Sequence, residues 1–340
     1  MKRRAGTSTG RNRASIVALQ PRAYMMKKTF KIILKSMGVI AVLIVLFLAI
    51  VFIVNLISNK SEQGKIESYG QSVTVDGKNM NVLIQGRGEE TVVLLPGYGT
   101  ASPALDFKLL IDELSSFYKV VVIEPFGYGL SDETEKERST ENIVSEIHEA
   151  LQQLNIDRYT LMGHSIAGIY GLDYVNKYPN EVSAFVGIDS SVSTQPGMDV
   201  KFPIKAFAFL EQSGLLRLVK KLSDDPYAGL AFDDQTKEQM RLISNKNSNN
   251  DTTLNEMKNI SINFKAAQHL AFPENLPLIL FIQANNTGVE GWIPLHEGQV
   301  KDSVHGEVMK MEGGHYLHHT KSKEIVEKFK EFMEDIKSGH

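Results

Sequence analysis

Hydrophobic and polar positions divide the chain into three regimes. From Met37 to Ile57 (MGVIAVLIVLFLAIVFIVNLI) there is no charge and one strongly polar residue, Asn55. As a helix, a run of this length crosses roughly 30 Å of hydrocarbon. It is apolar on every face, which a surface helix of a soluble domain is not. A cleaved leader would have a shorter apolar region, roughly 7–15 residues, ending in an A-x-A-like site. The pattern therefore predicts an uncleaved transmembrane helix over 36–57.

Beyond a polar stretch (SNKSEQGKIESYG, 58–70) read as a linker, the pattern changes to short strands and then to alternating strand and helix. Ser72–Val75 and Asn79–Gln85 flank Asp76-Gly77, a hairpin signal. Thr91–Leu95, Lys119–Ile123 and Val182–Asp189 are buried-type strands, a further short apolar strand opens the stretch Tyr159–Tyr170, and helical periodicity runs over Ala104–Phe117 and Glu141–Leu154. This alternation predicts a mainly parallel sheet covered on both faces. The third regime, 193–272, interrupts it with helical patterns, including amphipathic Phe202–Leu222 and an Asn-rich stretch at Asn245–Asp251. Strands return at Leu276–Gln283 and His305–Met311, before a last helix at Ser322–Ile336. The predicted organisation is a basic tail (1–35), membrane helix (36–57), linker (58–70), core (71–192), helical insertion (193–272) and the remainder of the core (273–340).

Charge orients this arrangement. Residues 1–35 carry ten Lys/Arg and no acid, so of the net −3 the remaining chain holds −13. The positive-inside rule keeps the N-terminus cytoplasmic and sends the large domain across a bacterial cell membrane as a single-pass protein. A basic tail beside a membrane span sets topology; it is not read as a nucleic-acid site. Met25-Met26-Lys27-Lys28 resembles a natural start, so residues 1–24 can be an extension. The absence of cysteine excludes disulfides, zinc–thiolate sites and a thiol nucleophile.

The chemistry concentrates in Gly163-His164-Ser165-Ile166-Ala167-Gly168, between a strand and a helix. Small residues at Gly163 and Ala167 permit a sharp turn that presents Ser165 at its tip, ahead of a helix N-terminus. A serine hydroxyl needs a base, a group orienting that base, and donors for an oxyanion. His315, after Gly313-Gly314, is the candidate base. The backbone N–H groups of Tyr98, in Pro96-Gly97-Tyr98-Gly99, and of Ile166 are the candidate oxyanion donors. A zinc site built from His315, His318 and His319 is a rival reading, but the sequence offers no clear second ligand cluster.

In this order, Leu95-Pro96-Gly97-Tyr98-Gly99, Gly127-Tyr128-Gly129-Leu130-Ser131-Asp132, the Ser165 turn and Gly314-His315 resemble the α/β-hydrolase fold superfamily, in its cap-bearing lipase/esterase-like members. The resemblance covers roughly residues 70–336. It implies an eight-stranded, mainly parallel sheet with helices on both faces and a helical cap inserted at 193–272. It also implies a Ser–His–acid triad with no metal or organic cofactor. Ser165 departs from the Asp-nucleophile branches, the haloalkane dehalogenases and epoxide hydrolases. Ala167 replaces the usual Gly of the turn, and Pro96 replaces a usual His.

The family most often carries its acid after the penultimate strand, where this chain has Gln283-Ala284-Asn285-Asn286-Thr287-Gly288-Val289-Glu290 and no Asp. Asp189, at the end of the preceding strand, is the preferred acid; Glu290 and a neutral Asn286 are the alternatives. Asp132 and His164 are read as structural. The implied activity is hydrolysis of a small-molecule or lipid-like carboxylic ester through an acyl-enzyme. Amide or peptide cleavage of the iminopeptidase type, or non-catalytic ligand binding, are the other readings. The apolar run from Phe202 to Val219, flanked by Lys201, Lys205, Arg217, Lys220 and Lys221, either packs the cap onto the core or forms a lid that touches anionic lipid.

Overall fold

The structure is a computed structural model and describes residues 11–339; the part of the basic tail at 1–10 lies outside the described residues. Helix α1 (Arg11–Gln63) contains a segment long and apolar enough to cross a membrane, by length and composition. It does not stop at residue 57. With no Gly or Pro between Ile57 and Gly64, the first residues of the expected linker continue the helix, and Arg217 bonds to Asn55, Asn59 and Glu62 along one face of it. The residues after Gly64 are tied down as well. Glu67 N–H donates to Gln239 Oε1 (2.9 Å), Gln239 Nε2 to the Lys65 carbonyl (3.0 Å) and Tyr69 OH to Glu124 (2.9 Å). A free tether of 13 residues would reach about 45 Å; this segment is instead fastened to cap and core.

Strands β1 (Gln71–Val75) and β2 (Lys78–Gln85) pair antiparallel across Asp76 and Gly77. Both turn residues have positive φ (47° and 73°), as a tight two-residue hairpin requires. Strand β3 (Thr91–Leu95) leads to α2 (Pro103–Asp106) and α3 (Lys108–Leu114), two short helices where periodicity predicts one. The break at Phe107 buries its ring and leaves Asp106 buried beside it. Then follow β4 (Lys119–Glu124), α4 (Thr140–Gln153, capped by Ser139), β5 (Tyr159–His164), α5 (Ala167–Lys177) and β6 (Val182–Ile188).

Four helices interrupt the alternation: α6 (Ile204–Gln212), α7 (Leu215–Leu222), α8 (Asp234–Asn247) and α9 (Asp251–Ala267). The amphipathic run Phe202–Leu222 is thus a helical hairpin, broken at Gly214 (φ 78°). The Asn-rich stretch is the α8–α9 turn. There Asn250 caps α9, and the side chains of Asn247 and Asn250 donate to the carbonyls of Gly129 and Gly127. Glu256 of α9 accepts bonds from Tyr128 OH (2.8 Å) and Tyr170 OH (2.6 Å), and burial pushes its carboxyl pKa upward. These bonds lock the second half of the insertion to the core. Strand β7 (Leu278–Gln283), α10 (Trp292–Val300), β8 (Gly306–Met311), α11 (Leu317–Thr320) and α12 (Ser322–Ser338) complete the chain.

The sheet has eight strands in the order β1-β2-β4-β3-β5-β6-β7-β8. β1, β2 and β4 pair antiparallel, and every later pairing is parallel. Apolar clusters fill both faces, which is why β3 to β5 read as nearly continuous apolar runs. Strand order reverses between β3 and β5, and loops at the carboxyl ends of those strands form the crevice where open α/β sheets bind ligands.

Candidate active site

Ser165 follows β5 at that crevice with φ 55°, a left-handed conformation that non-glycine residues seldom adopt. The surrounding bonds hold it there. Its N–H donates to the Ile188 carbonyl (3.2 Å), and its carbonyl accepts from Gly168 N (3.0 Å) and Ser191 N (2.8 Å). A Cβ on Gly163 would lie 3.0 Å from Ala167 Cβ, so the strand and helix approach as closely as small residues allow. Gly97 is under the same constraint: a Cβ there would come within 2.7 Å of His164 Nδ1 and 2.9 Å of Ser165 Cβ.

His315, in the loop after β8, brings Nε2 to 2.9 Å from Ser165 Oγ and Nδ1 to 2.7 Å from Asp189 Oδ2. Asp189 directly follows β6, is fully buried and has φ 42°. Its other oxygen accepts from Gln283 N (2.9 Å) and from the indole Nε1–H of Trp292 (3.1 Å). With Nδ1–H donated to the carboxylate, Nε2 presents its lone pair to the serine hydroxyl. Ser165, His315 and Asp189 are thus brought into one hydrogen-bonded line. Glu290 is exposed and bonds to none of them. Asn286 serves its own turn, accepting from Gly288 N (2.8 Å) and Val289 N (3.0 Å).

Tyr98 and Ile166 line a cavity of about 270 Å³ together with Ser165 and His315. Neither of their backbone N–H groups has a hydrogen-bond partner among the described residues. The Tyr98 ring is held to the cap through its hydroxyl, which donates to the Thr253 carbonyl (3.1 Å). Met198, Ile260, Phe264 and Val289 supply apolar walls, while Gln195 and Ser191 add polar groups.

Sequence reasoning missed one supporting group. Trp292, the chain's single tryptophan, lies in an unanticipated helix, 103 positions from the carboxylate it bonds. His164, read as structural, bonds to the loop of the candidate base: its Nε2–H donates to the His315 carbonyl (3.1 Å). Burial, followed by the nearby His318 and His315, keeps its pKa well below the ordinary imidazole value, so it is neutral. Asp132 accepts from Asn79 N (2.8 Å) at the sheet edge.

His318 and His319 lie on α11 behind the site, where both Nε2 atoms meet the Asp106 carboxylate at 2.7 and 2.9 Å. Burial pushes the Asp106 pKa up, but its two imidazole partners outweigh that and hold it below the usual carboxylate range. These three residues are the group among those described whose donor atoms converge as a metal's ligands would. His315 is not part of it. The N···O distances are those of direct hydrogen bonds.

Comparison with known proteins agrees with this architecture. The family model for the alpha/beta hydrolase fold matches residues 90–223. The chain is 29% identical over 262 residues to the uncharacterized protein YbdG of Bacillus subtilis (strain 168), covering 74% of this chain and 79% of that protein. It is 25% identical over 179 residues to the 2-hydroxy-6-oxo-6-(2'-aminophenyl)hexa-2,4-dienoic acid hydrolase of Metapseudomonas resinovorans, spanning 52% of this chain and 59% of the relative. Among solved structures, the epoxide hydrolase VrEH1 of Vigna radiata superposes with a TM-score of 0.60 at 18% identity, covering 78% of this chain and 97% of its own. The enol-lactonase of Burkholderia xenovorans LB400 superposes at 0.57 with 14% identity, covering 77% and 99%. The chain has the α/β-hydrolase fold.

Proposed function

We propose that this protein is a membrane-anchored serine hydrolase that cleaves a carboxylic ester through an acyl-enzyme. One observation carries the reading: the line from Ser165 Oγ through His315 to buried Asp189, at 2.9 and 2.7 Å, with the serine on a left-handed turn. As Oγ attacks the ester carbonyl, its proton passes to His315 Nε2. Asp189 stabilises the resulting imidazolium through Nδ1–H. The carbonyl oxygen takes up the negative charge and is met by the N–H groups of Tyr98 and Ile166. His315 then gives its proton to the departing alkoxide, leaving an acyl group on Ser165. A water, deprotonated by the same nitrogen, releases the acid and restores the serine.

The cavity of about 270 Å³ suits a compact acyl group held against Met198, Ile260 and Phe264. Helix α1 is the proposed anchor, with the catalytic region on the extracytoplasmic side of a bacterial cell membrane. Labelling with a fluorophosphonate probe tests the nucleophile. Stoichiometric labelling that disappears in Ser165→Ala is the expected result, and a folded protein that takes up no label would refute it. A panel of chromogenic acyl esters and aminoacyl amides distinguishes ester from amide chemistry.

A further inference from the structure

We infer that the α6–α7 hairpin is seated in the outer leaflet of the bilayer crossed by α1, with lipid as the partner of its exposed apolar face. The inference rests on the reading of α1 as the anchor. It starts from the covered face of that helix. Leu48, Val51, Ser58 and Glu62 are half-buried and Asn55 is buried, at helical spacing of three and four residues, while their neighbours are exposed.

The hairpin corner makes this contact. A Cβ on Gly214 would lie 2.5 Å from Asn55 Cβ and 3.1 Å from the Val51 carbonyl oxygen. Arg217 donates to Asn55 Oδ1 (2.8 Å) and to Glu62 Oε1 (2.6 Å). Val51 stands six residues before the end of the apolar run, about 9 Å along the helix. When the run from Met37 to Ile57 fills the hydrocarbon layer, the corner lies below its outer edge. Sliding α1 outward to lift the corner into water would draw Lys35 and Lys31 into the hydrocarbon, where charges are strongly disfavoured. It would also bring exposed Ile53, Val54, Leu56 and Ile57 into water.

The hairpin is built for such a place. Neither α6 nor α7 has a fully buried residue. Phe209 and Val219 are each 54% exposed and Leu222 79%. Exposed Lys201, Lys205 and Lys221 flank them, suited to lipid phosphates at the leaflet surface. Arg217, the charge nearest α1, is paired with Glu62 and bonded to Asn55, as charges at membrane depth are.

The natural absence of cysteine makes a site-directed test direct. Single variants Ile44→Cys, Phe209→Cys, Leu222→Cys and Lys323→Cys of the full chain would carry an environment-sensitive fluorophore. They would be reconstituted in phosphatidylglycerol–phosphatidylcholine vesicles with spin-labelled acyl chains. The expected result is blue-shifted emission that is lost to lipid quenching at positions 44, 209 and 222, and unquenched emission at 323. Quenching at 44 with positions 209 and 222 behaving like 323 overturns the inference while leaving the anchor intact. No quenching at 44 overturns the anchor reading and the inference with it. Self-quenching at 209 and 222 that disappears on dilution with lipid, without lipid quenching, makes a second copy the partner and also overturns it.

Discussion

Replacing Asp189 with asparagine isolates the part of the candidate triad that sequence left most open. The carboxylate is fully buried and accepts from His315 Nδ1, Gln283 N and Trp292 Nε1. All three partners are donors. An asparagine of the same shape has one oxygen and one NH₂ group, so whichever way it turns, an N–H group meets an N–H group. If the oxygen stays with Gln283 and Trp292, the amide faces His315 and favours the tautomer whose Nε2 carries hydrogen and cannot accept the serine proton. If it turns toward His315, two buried donors lose their partner, at about 1–3 kcal/mol each in stability. In both cases the imidazolium formed during attack has no adjacent negative charge. The expected loss in kcat is on the order of 10⁴, equivalent to about 5.4 kcal/mol of transition-state stabilisation. Burst kinetics on a chromogenic ester, with circular dichroism to verify folding, measure it. Glu290→Gln, an exposed residue outside the line, should leave the rate within about twofold, as surface substitutions do. Retention of more than a tenth of wild-type kcat by folded Asp189→Asn would refute the assignment.

Trp292→Phe removes one donor to Asp189 and keeps the ring; stability should fall by about 1.5–3 kcal/mol, the contribution of a hydrogen bond to a charged group. Urea unfolding measures it, and a wild-type midpoint would refute the contribution of that bond. Gly97→Ala places a methyl group against His164 and Ser165 and should push the Tyr98 N–H out of line. A loss of about 10² in kcat is expected for a displacement near 1 Å, and wild-type turnover would show that the loop does not serve the oxyanion. Stability should fall on acidification: burial holds the pKa values of His164 and His318 below their ordinary value. The unfolded chain therefore gains protons below about pH 6.5 that the folded chain does not, each site costing about 1.4 kcal/mol per pH unit. The Asp106 pKa is depressed, so its contribution is present above the ordinary carboxylate pKa and lost as pH falls toward its folded value. Urea midpoints at pH 8 and 5.5 test the histidine part, and equal midpoints would refute it.

Local pattern was enough for most of the sheet because apolar runs bounded by Gly and Pro constrain strands directly. The Asp76-Gly77 hairpin, the parallel strands and the Ser165 turn were legible for that reason. The breaks at Phe107 and Gly214 were not. A helix period continues through both, and tertiary packing of the Phe107 ring and of Gly214 against Asn55 decides where the helices end. The continuation of α1 through Gln63 has the same origin: polar residues read as linker become a bonded face once Arg217 lies beside them.

By itself, then, the sequence determined the strand–turn–serine–helix unit, the apolar span and the histidine after two glycines, because each is a contiguous pattern whose physics is local. Only the tertiary structure decided which carboxylate meets that histidine. Asp189 and His315 are 126 positions apart and meet because parallel pairing aligns the carboxyl ends of β6, β7 and β8. The contacts of Trp292 with Asp189 and of Arg217 with α1 are of the same kind. No spacing rule encodes them, since they depend on how whole elements pack.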